Sequence, residues 1–454
     1  MQTRRFVNSY IRTFVNSSIR PFVNSPTRRP PINTRLIQLR TRLSDAGIDA
    51  ALLLHHRDVL YYANTVRPAA LLVAPHAAIL FVRRGLEYAR QEASVARVEP
   101  MNGFATVAEA VAGLGLAGGV LGTEMDLVPA RIARRLGEVL PTWSLADLSP
   151  LVLDQRGIKD EEELAATRRA AAVADAGHRA LPRFAAPGVT ELALAAEVEA
   201  AMRRAGHEGF QPLRHPAARG GGVFLMSGEH LTVRGGHGLV VTGAGLSPGL
   251  PYGPSRRVLQ AGDLVVLDIG STCAGYTADE SRTFVVGPAS EPQRALFAVA
   301  RATEDALLDA LRPGVAVADL HAGAESVVAR GAPPHFAPGS LELPGFVGHG
   351  VGLELDEPPI LWPRDDARLQ AGMVLAIEVE VNAPARRTMA KLEDTVVVRP
   401  DGYELLTATP RELIECDQFR DSRFEIADSK LRMANCNFEF AICNLQSAIR
   451  NLQS

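Results

Sequence analysis

Asp268 closes the apolar run Leu264-Val265-Val266-Leu267, and Asp279 follows eleven residues later, beyond a turn near Cys273 to Gly275. With a two-residue loop at Cys273 and Ala274, the two aspartates are expected to be direct cross-strand neighbours on one face, about 5 Å apart at their β-carbons. Two ionised carboxylates so placed repel each other unless a cation or a shared proton stands between them. A cation is the reading favoured here. Downstream, Met373 to Val381 carries Glu378 and Leu392 to Val398 carries Glu393, fifteen residues apart across a polar loop. That odd separation also permits direct opposition, so each of two hairpins can offer an acidic pair to one centre. Leu375, Ile377 and Val396 make that centre partly buried. Uncompensated, four buried carboxylates would be costly, whereas two divalent cations cancel four negative charges.

His349, within Gly348-His349-Gly350-Val351-Gly352, is the expected nitrogen ligand, its glycines allowing close backbone approach or positive φ. A lone histidine is more often structural, but two acidic hairpins around it favour a ligand. One imidazole among oxygen ligands suits Mn²⁺, Fe²⁺, Co²⁺ or Zn²⁺. Two such ions about 3.5 to 4 Å apart activate a bridging water and polarise a carbonyl. Glu378 is assigned to handle that water's proton. Other motifs are silent: Gly220-Gly221-Gly222 and Gly243-Ala244-Gly245 lack a P-loop lysine or a dinucleotide-binding setting, and no G-x-S-x-G is present.

The elements that must hold these residues follow from periodicity and caps. A polar segment, Asp154 to Glu163, leads into an alanine-rich helix from Glu161 to about Ala180, and Pro187-Gly188 breaks the chain. Thr190 caps the next helix, which ends near Gly206. Ser290 and Gln293 form a capping box for Glu291 to Leu311, closed by Pro313-Gly314. Strands are expected at 239–242, 264–286, 373–381 and 392–398, giving an α+β second half of antiparallel hairpins. Ahead of it, a helix at Arg35 to Ala46 and strands at Asp49 to Leu54, Ala69 to Val73 and Ala77 to Val82 predict a smaller α/β domain. Its histidines, His55, His56 and His76, lack partners at ligand spacing and are expected to be structural or solvated. The predicted organisation is an extension at 1–34, domains at 35–153 and 154–412, and a second extension at 413–454.

Length and composition bound the rest. The 454 residues favour two domains plus extensions. At 47% hydrophobic and 22% charged, with no apolar run long enough to span a bilayer, the chain is not expected to enter a membrane. A net charge of -3 gives no reason to expect nucleic acid. Cys273, Cys416, Cys436 and Cys443 show no C-x-x-C spacing or disulfide framework, so a reducing, cytoplasmic setting is expected. The first forty residues hold eight arginines and no acid, and Phe-Val-Asn-Ser recurs at 6, 14 and 22. Asn-Leu-Gln-Ser recurs at 444 and 451. A targeting presequence is one reading of the first segment, and a disordered arm is the favoured one.

Asp268-Ile269-Gly270, Tyr276 to Thr283, Gly348 to Gly352, Gly372-Met373-Val374 with Glu378, and Glu393-Asp394-Thr395 resemble, in order, the motifs of the pita-bread metallopeptidases. That family includes aminopeptidase P, prolidase and methionine aminopeptidase. The resemblance covers about residues 155 to 410. The preceding domain resembles the creatinase-type N-terminal domain of the proline-directed members. The resemblance implies a pita-bread catalytic domain and two divalent metals, commonly manganese, on Asp268, Asp279, His349, Glu378 and Glu393. It implies a bridging water attacking the bond before proline in Xaa-Pro peptides or dipeptides, and a possible homodimer. Departures are local. Where the proline-directed enzymes usually carry histidines, this chain has Tyr252 after Pro251 and Asp356 before Glu357, and Val379 rather than proline follows Glu378. Tyr252 and Asp356 are therefore the candidate substrate-binding residues. Two other readings remain on the same scaffold: a metal-dependent hydrolase of a different amide or C–N bond, and a catalytically silent binding module.

Overall fold

Leu36, Leu39 and Leu43 share one side of the first helix, α1 (Asn33–Asp45), and are buried together against the sheet that follows. The structure, a computed structural model, describes residues 33–214, 222–235 and 240–416. After α1 come β1 (Ala50–Leu53), α2 (His56–Ala63), β2 (Ala69–Ala74), β3 (Ala77–Val82), α3 (Leu86–Glu92), β4 (Arg97–Pro100), α4 (Phe104–Gly113), β5 (Gly119–Thr123), α5 (Ala130–Val139), β6 (Trp143–Asp147) and α6 (Ser149–Gly157). The strands form one mixed sheet in the order β4-β3-β2-β1-β5-β6. Its residues alternate between two cores. Leu52, Leu72, Ile79 and Phe81 enter one, while Leu53, Leu71, Val73 and Leu80 enter the other. A sheet apolar on both faces must be covered on both, as an α/β pattern requires.

The second half opens with α7 (Glu161–Ala180). Asp160 accepts hydrogen bonds from the Glu162 and Glu163 amides, and the Glu163 carboxylate accepts one from the Asp160 amide, a complete capping box. Next is α8 (Glu191–Arg204), where Thr190 Oγ1 accepts from the Ala193 amide; past its end Gly206 takes a positive φ of 108°. The remaining elements are β7 (Phe224–Ser227), β8 (Leu264–Cys273), β9 (Tyr276–Val285), α9 (Glu291–Ala310), α10 (Val317–Val328), β10 (Gly348–Gly350), β11 (Glu357–Ile360), β12 (Val374–Ala383), β13 (Thr388–Arg399), β14 (Gly402–Leu405) and β15 (Ile414–Glu415). The predicted capping box at α9 is present: Gln293 Oε1 accepts from the Ser290 amide.

These strands make one sheet along the path β11-β10-β12-β13-β9-β8-β7, with β14 on β13 and β15 on β9. The pairs that build its centre are antiparallel. Strict alternation in β12 sends Leu375, Ile377, Val379 and Val381 into a core with α9 and α10, leaving Ala376, Glu378 and Glu380 on the opposite face. In β8, Val265, Leu267 and Ile269 likewise pack with α7 and α8, leaving Asp268 on the other face. Helix α7 approaches closely at Gly177, where a β-carbon would lie 2.6 Å from Ile269 Cδ1.

Three expectations are corrected or fall outside. The strand expected at 239–242 is absent from 240–242, which are irregular, and residue 239 lies outside the described residues. Ordered pairing extends past 412, because Ile414 packs against the β8 and β9 core and aligns parallel to Phe284. The repeat-bearing ends, with Cys436 and Cys443, lie outside the described residues. Among the described residues no helix is long and apolar enough to cross a membrane.

Candidate metal centre

Register decides which side chains meet. Asp268 pairs with Ser281, Ser281 with Glu393, and Glu393 with Glu378, so one transverse row crosses β8, β9, β13 and β12. The second row lies two residues along, on the same face. In it Gly270 pairs with Asp279, Thr395 with Ala376, and Ala376 with His349, while the Asp279 amide donates to Thr395 Oγ1 at 2.8 Å. All five candidate ligands thus share one face and are buried. Their donor atoms form two groups, Asp279, His349 and Glu393, and Asp268, Glu378 and Glu393, each within 4.8 Å. Glu393 belongs to both.

Direct opposition of Glu378 and Glu393 matches the sequence expectation, whereas that of Asp268 and Asp279 does not. The hairpin loop is Ala274–Gly275, one residue later than expected, with Ala274 at φ 54° and Gly275 at φ 81°. Moving the loop by one residue moves every cross-strand partner by two, so the aspartates are diagonal neighbours. Both remain on the same face.

The donors are oriented. Ser281 Oγ donates to Glu393 Oε2 at 2.7 Å, and Glu393 Oε1 is buried with no hydrogen-bond partner among the described residues. Such an orphan oxygen in a carboxylate cluster fits a cation ligand. His349 Nδ1 contacts Gly350 O at 3.1 Å, which fixes the proton there in the neutral ring and leaves Nε2 as the lone pair 3.8 Å from Asp279 Oδ2. Both flanking glycines are needed: a β-carbon at Gly348 would lie 2.2 Å from Ala376 O, and one at Gly350 would lie 2.4 Å from Pro358 O.

Electrostatics agrees with a site made for cations. Burial, then Glu393 and Asp268, pushes Asp279 well above the usual carboxylate range. Burial also raises Glu378, and it lifts Glu393 to about 8 against the opposing pull of Lys391. Burial depresses His349, but Asp356, Glu378 and Glu393 outweigh it and raise the imidazole. The set resists full ionisation by itself, and positive charge relieves it.

Lys391 was not anticipated. Its Nζ lies 2.6 Å from Asp268 Oδ2, 2.5 Å from Glu378 Oε1 and 3.6 Å from Glu393 Oε2, with the side chain almost wholly buried. The signal was the alternation itself, because a residue two before Glu393 in the same strand shares its face.

The candidate substrate residues lie beside this cluster. Asp356 Oδ1 is 3.6 Å from His349 Nε2 and its side chain is exposed. Tyr252 packs edge-on against Phe224, 5.9 Å between ring centroids, and Phe224 pairs with Asp268. A second group that sequence reading missed joins the two sheets. Arg156 bonds Asp58 at 2.6 Å, Glu354 at 2.9 Å and also Glu357, and Arg214 bonds Asp58 and Asp126. His55 takes the structural role of the two expected for it: its Nε2 contacts Glu354 Oε1. These residues are too far apart in sequence for spacing to reveal them.

A catalytic half built from paired carboxylate hairpins, behind a smaller mixed-sheet half, defines a metal-dependent peptidase class. Residues 165–400 match metallopeptidase family M24 and residues 35–158 match the creatinase/prolidase N-terminal domain; the chain belongs to family M24. Its fold is the pita-bread fold, and the family implies divalent metal ions. The chain is similar to the Xaa-Pro dipeptidase of Pyrococcus horikoshii, 27% identical over 391 residues, covering 84% of this chain and 99% of that one. It is also similar to the probable dipeptidase PepE of Mycobacterium tuberculosis, 29% identical over 396 residues, covering 84% and 95%. Among solved structures, the Xaa-Pro dipeptidase from Bacillus anthracis superposes with a TM-score of 0.72 at 26% identity, covering 85% of this chain and 99% of that one.

Proposed function

We propose that this metallopeptidase hydrolyses the bond before proline in Xaa-Pro dipeptides or short peptides, using two divalent ions held by Asp268, Asp279, His349, Glu378 and Glu393. Manganese is the preferred metal in this reading, with Co²⁺, Fe²⁺ and Zn²⁺ as alternatives. The observation that carries it is the pair of buried donor groups sharing Glu393. The substrate class rests on the relatives described as Xaa-Pro dipeptidases.

When bound, the ions supply Lewis acidity and lower the pKa of water. The protein's own groups do the rest. Glu378, at the β12 end of the transverse row, is the carboxylate assigned to receive the proton of the attacking water and pass it to the leaving amine. Ser281 fixes Glu393, and the Gly350 carbonyl fixes the His349 ring. Asp356, an exposed anion beside His349, suits the free ammonium group of the Xaa residue. Tyr252 supplies a hydroxyl for a substrate carbonyl or carboxylate.

The same reading divides the chain near residue 153 and sets it in a reducing cytoplasm, consistent with Cys273 and Cys416 forming no disulfide among the described residues. A homodimer is the assembly the resemblance implies, and light scattering decides it. The decisive test of function follows cleavage of Xaa-Pro peptides and non-prolyl controls by Mn²⁺-loaded protein, with Asp279→Ala as the blank. Cleavage restricted to Xaa-Pro bonds and lost in the blank is expected. Equal cleavage of the controls would assign the site to another amide bond.

A further inference from the structure

We infer that Lys391 is a built-in cation of the metal centre, holding one half of it as a displaceable occupant and making the chain load its two ions in a fixed order. The inference rests on the ligand assignment proposed above. Its basis is an asymmetry between the two donor groups. The group Asp279, His349 and Glu393 has an oriented imidazole nitrogen and the unpartnered Glu393 Oε1. In the group Asp268, Glu378 and Glu393, the ammonium of Lys391 touches Asp268 and Glu378 at 2.6 and 2.5 Å and lies 3.6 Å from Glu393. A compact, flexible point charge on a four-carbon stem is the side chain best suited to stand where a metal ion would otherwise stand.

Two positive groups cannot use the same oxygens. A divalent ion entering the Asp268 half must displace the ammonium and meets its repulsion, whereas an ion at the His349 half does not compete for Asp268 and Glu378. The ammonium has somewhere to go. Lys391 pairs directly across the sheet with Glu380, a buried carboxylate that accepts hydrogen bonds from the Val241 amide and Asn382 Nδ2 at 2.8 Å each and lies 3.5 Å from the guanidinium of the exposed Arg234. Retreat by one row keeps the lysine paired with an anion while releasing Asp268 and Glu378. The first ion is thus expected at Asp279, His349 and Glu393, and the second binds more weakly in proportion to the work of moving Lys391.

The test counts ions rather than turnover. Metal-free full-length protein is equilibrated with graded Mn²⁺, bound metal is measured by mass spectrometry, and electron paramagnetic resonance distinguishes isolated Mn²⁺ from a spin-coupled pair. The wild type is expected to take one isolated ion first and to form the coupled pair only at Mn²⁺ concentrations more than about tenfold higher, whereas Lys391→Met should close that gap. Lys391→Arg, which keeps the charge, should retain it. If the Met variant does not fold, the wild-type titration still decides: a coupled pair at one equivalent of Mn²⁺ overturns the inference. So does a Met variant that folds and keeps the wild-type gap. Either result leaves the two-metal reading intact, while binding of no ion overturns both.

Discussion

His55 Nε2 lies 2.8 Å from Glu354 Oε1, joining the strand-to-helix turn of the first sheet to the loop that follows His349. Glu354 also meets Arg156, which is fully buried with Asp58 and Glu357. The N-terminal half therefore grips the same turn that presents Asp356.

Breaking this grip should be expensive. Arg156→Ala removes the guanidinium shared by Asp58, Glu354 and Glu357 and leaves them to Arg214 and Lys159 at 3.1 to 3.4 Å, so a loss of about 2–4 kcal/mol is expected. Urea unfolding measures it. Activity should fall as well, because Glu354 and Glu357 flank Asp356; an unaltered midpoint would show the network to be energetically idle.

Metal loading should stabilise the fold. Mn²⁺ at about a hundred times its dissociation constant is expected to add roughly 2.7 kcal/mol, read as a higher melting temperature. Asp279→Ala should lose most of that gain, and Asp356→Ala, outside both donor groups, should keep it. Equal gains in all three proteins would place the bound metal elsewhere.

Gly348→Ala puts a methyl group 2.2 Å from Ala376 O at a residue with φ 148°. A destabilisation of about 2–4 kcal/mol is expected from the strain and the clash together. Metal affinity should drop with it, since the strand shift carries His349. Calorimetry with and without Mn²⁺ separates the two effects.

Burial, followed by the Asp58 charge, raises the Glu124 carboxyl from 4.5 to about 7, while the amides of Leu54 and His55 pull the other way. Its folded value exceeds its unfolded one, so the fold favours the protonated form. That contribution is complete below about pH 4.5 and is lost as pH rises toward about 7. Glu124→Gln keeps an acceptor for those amides and does not titrate. Its stability relative to wild type should therefore improve across this window, by at most about 3 kcal/mol. Parallel pH profiles for the two proteins would refute the assignment.

The sequence carried the sheet's face pattern more reliably than its partners. In β12 and β13 the odd spacing of Glu378 and Glu393, together with apolar residues at alternate positions, was enough to foresee their opposition. In β8 and β9 the same reasoning misplaced the turn by one residue, because Cys273 gives no local cue, whereas Ala274 and Gly275 adopt the positive φ values the loop needs. Lys391 escaped notice because a search for acidic and imidazole ligands passes over a base. The contacts of His55, Arg156 and Arg214 depend on how two sheets dock, which no local period encodes.

The transverse row Asp268–Ser281–Glu393–Glu378 also bears on the protein's birth. Asp268 meets Ser281 within one hairpin and Glu378 meets Glu393 within another, and the two halves of the row join only when β13 pairs with β9. A nascent chain that ends before Glu393 lacks the carboxylate that the two donor groups share. Such long-range pairing forms slowly. Assembly of the complete donor set is consequently timed by closure of the sheet.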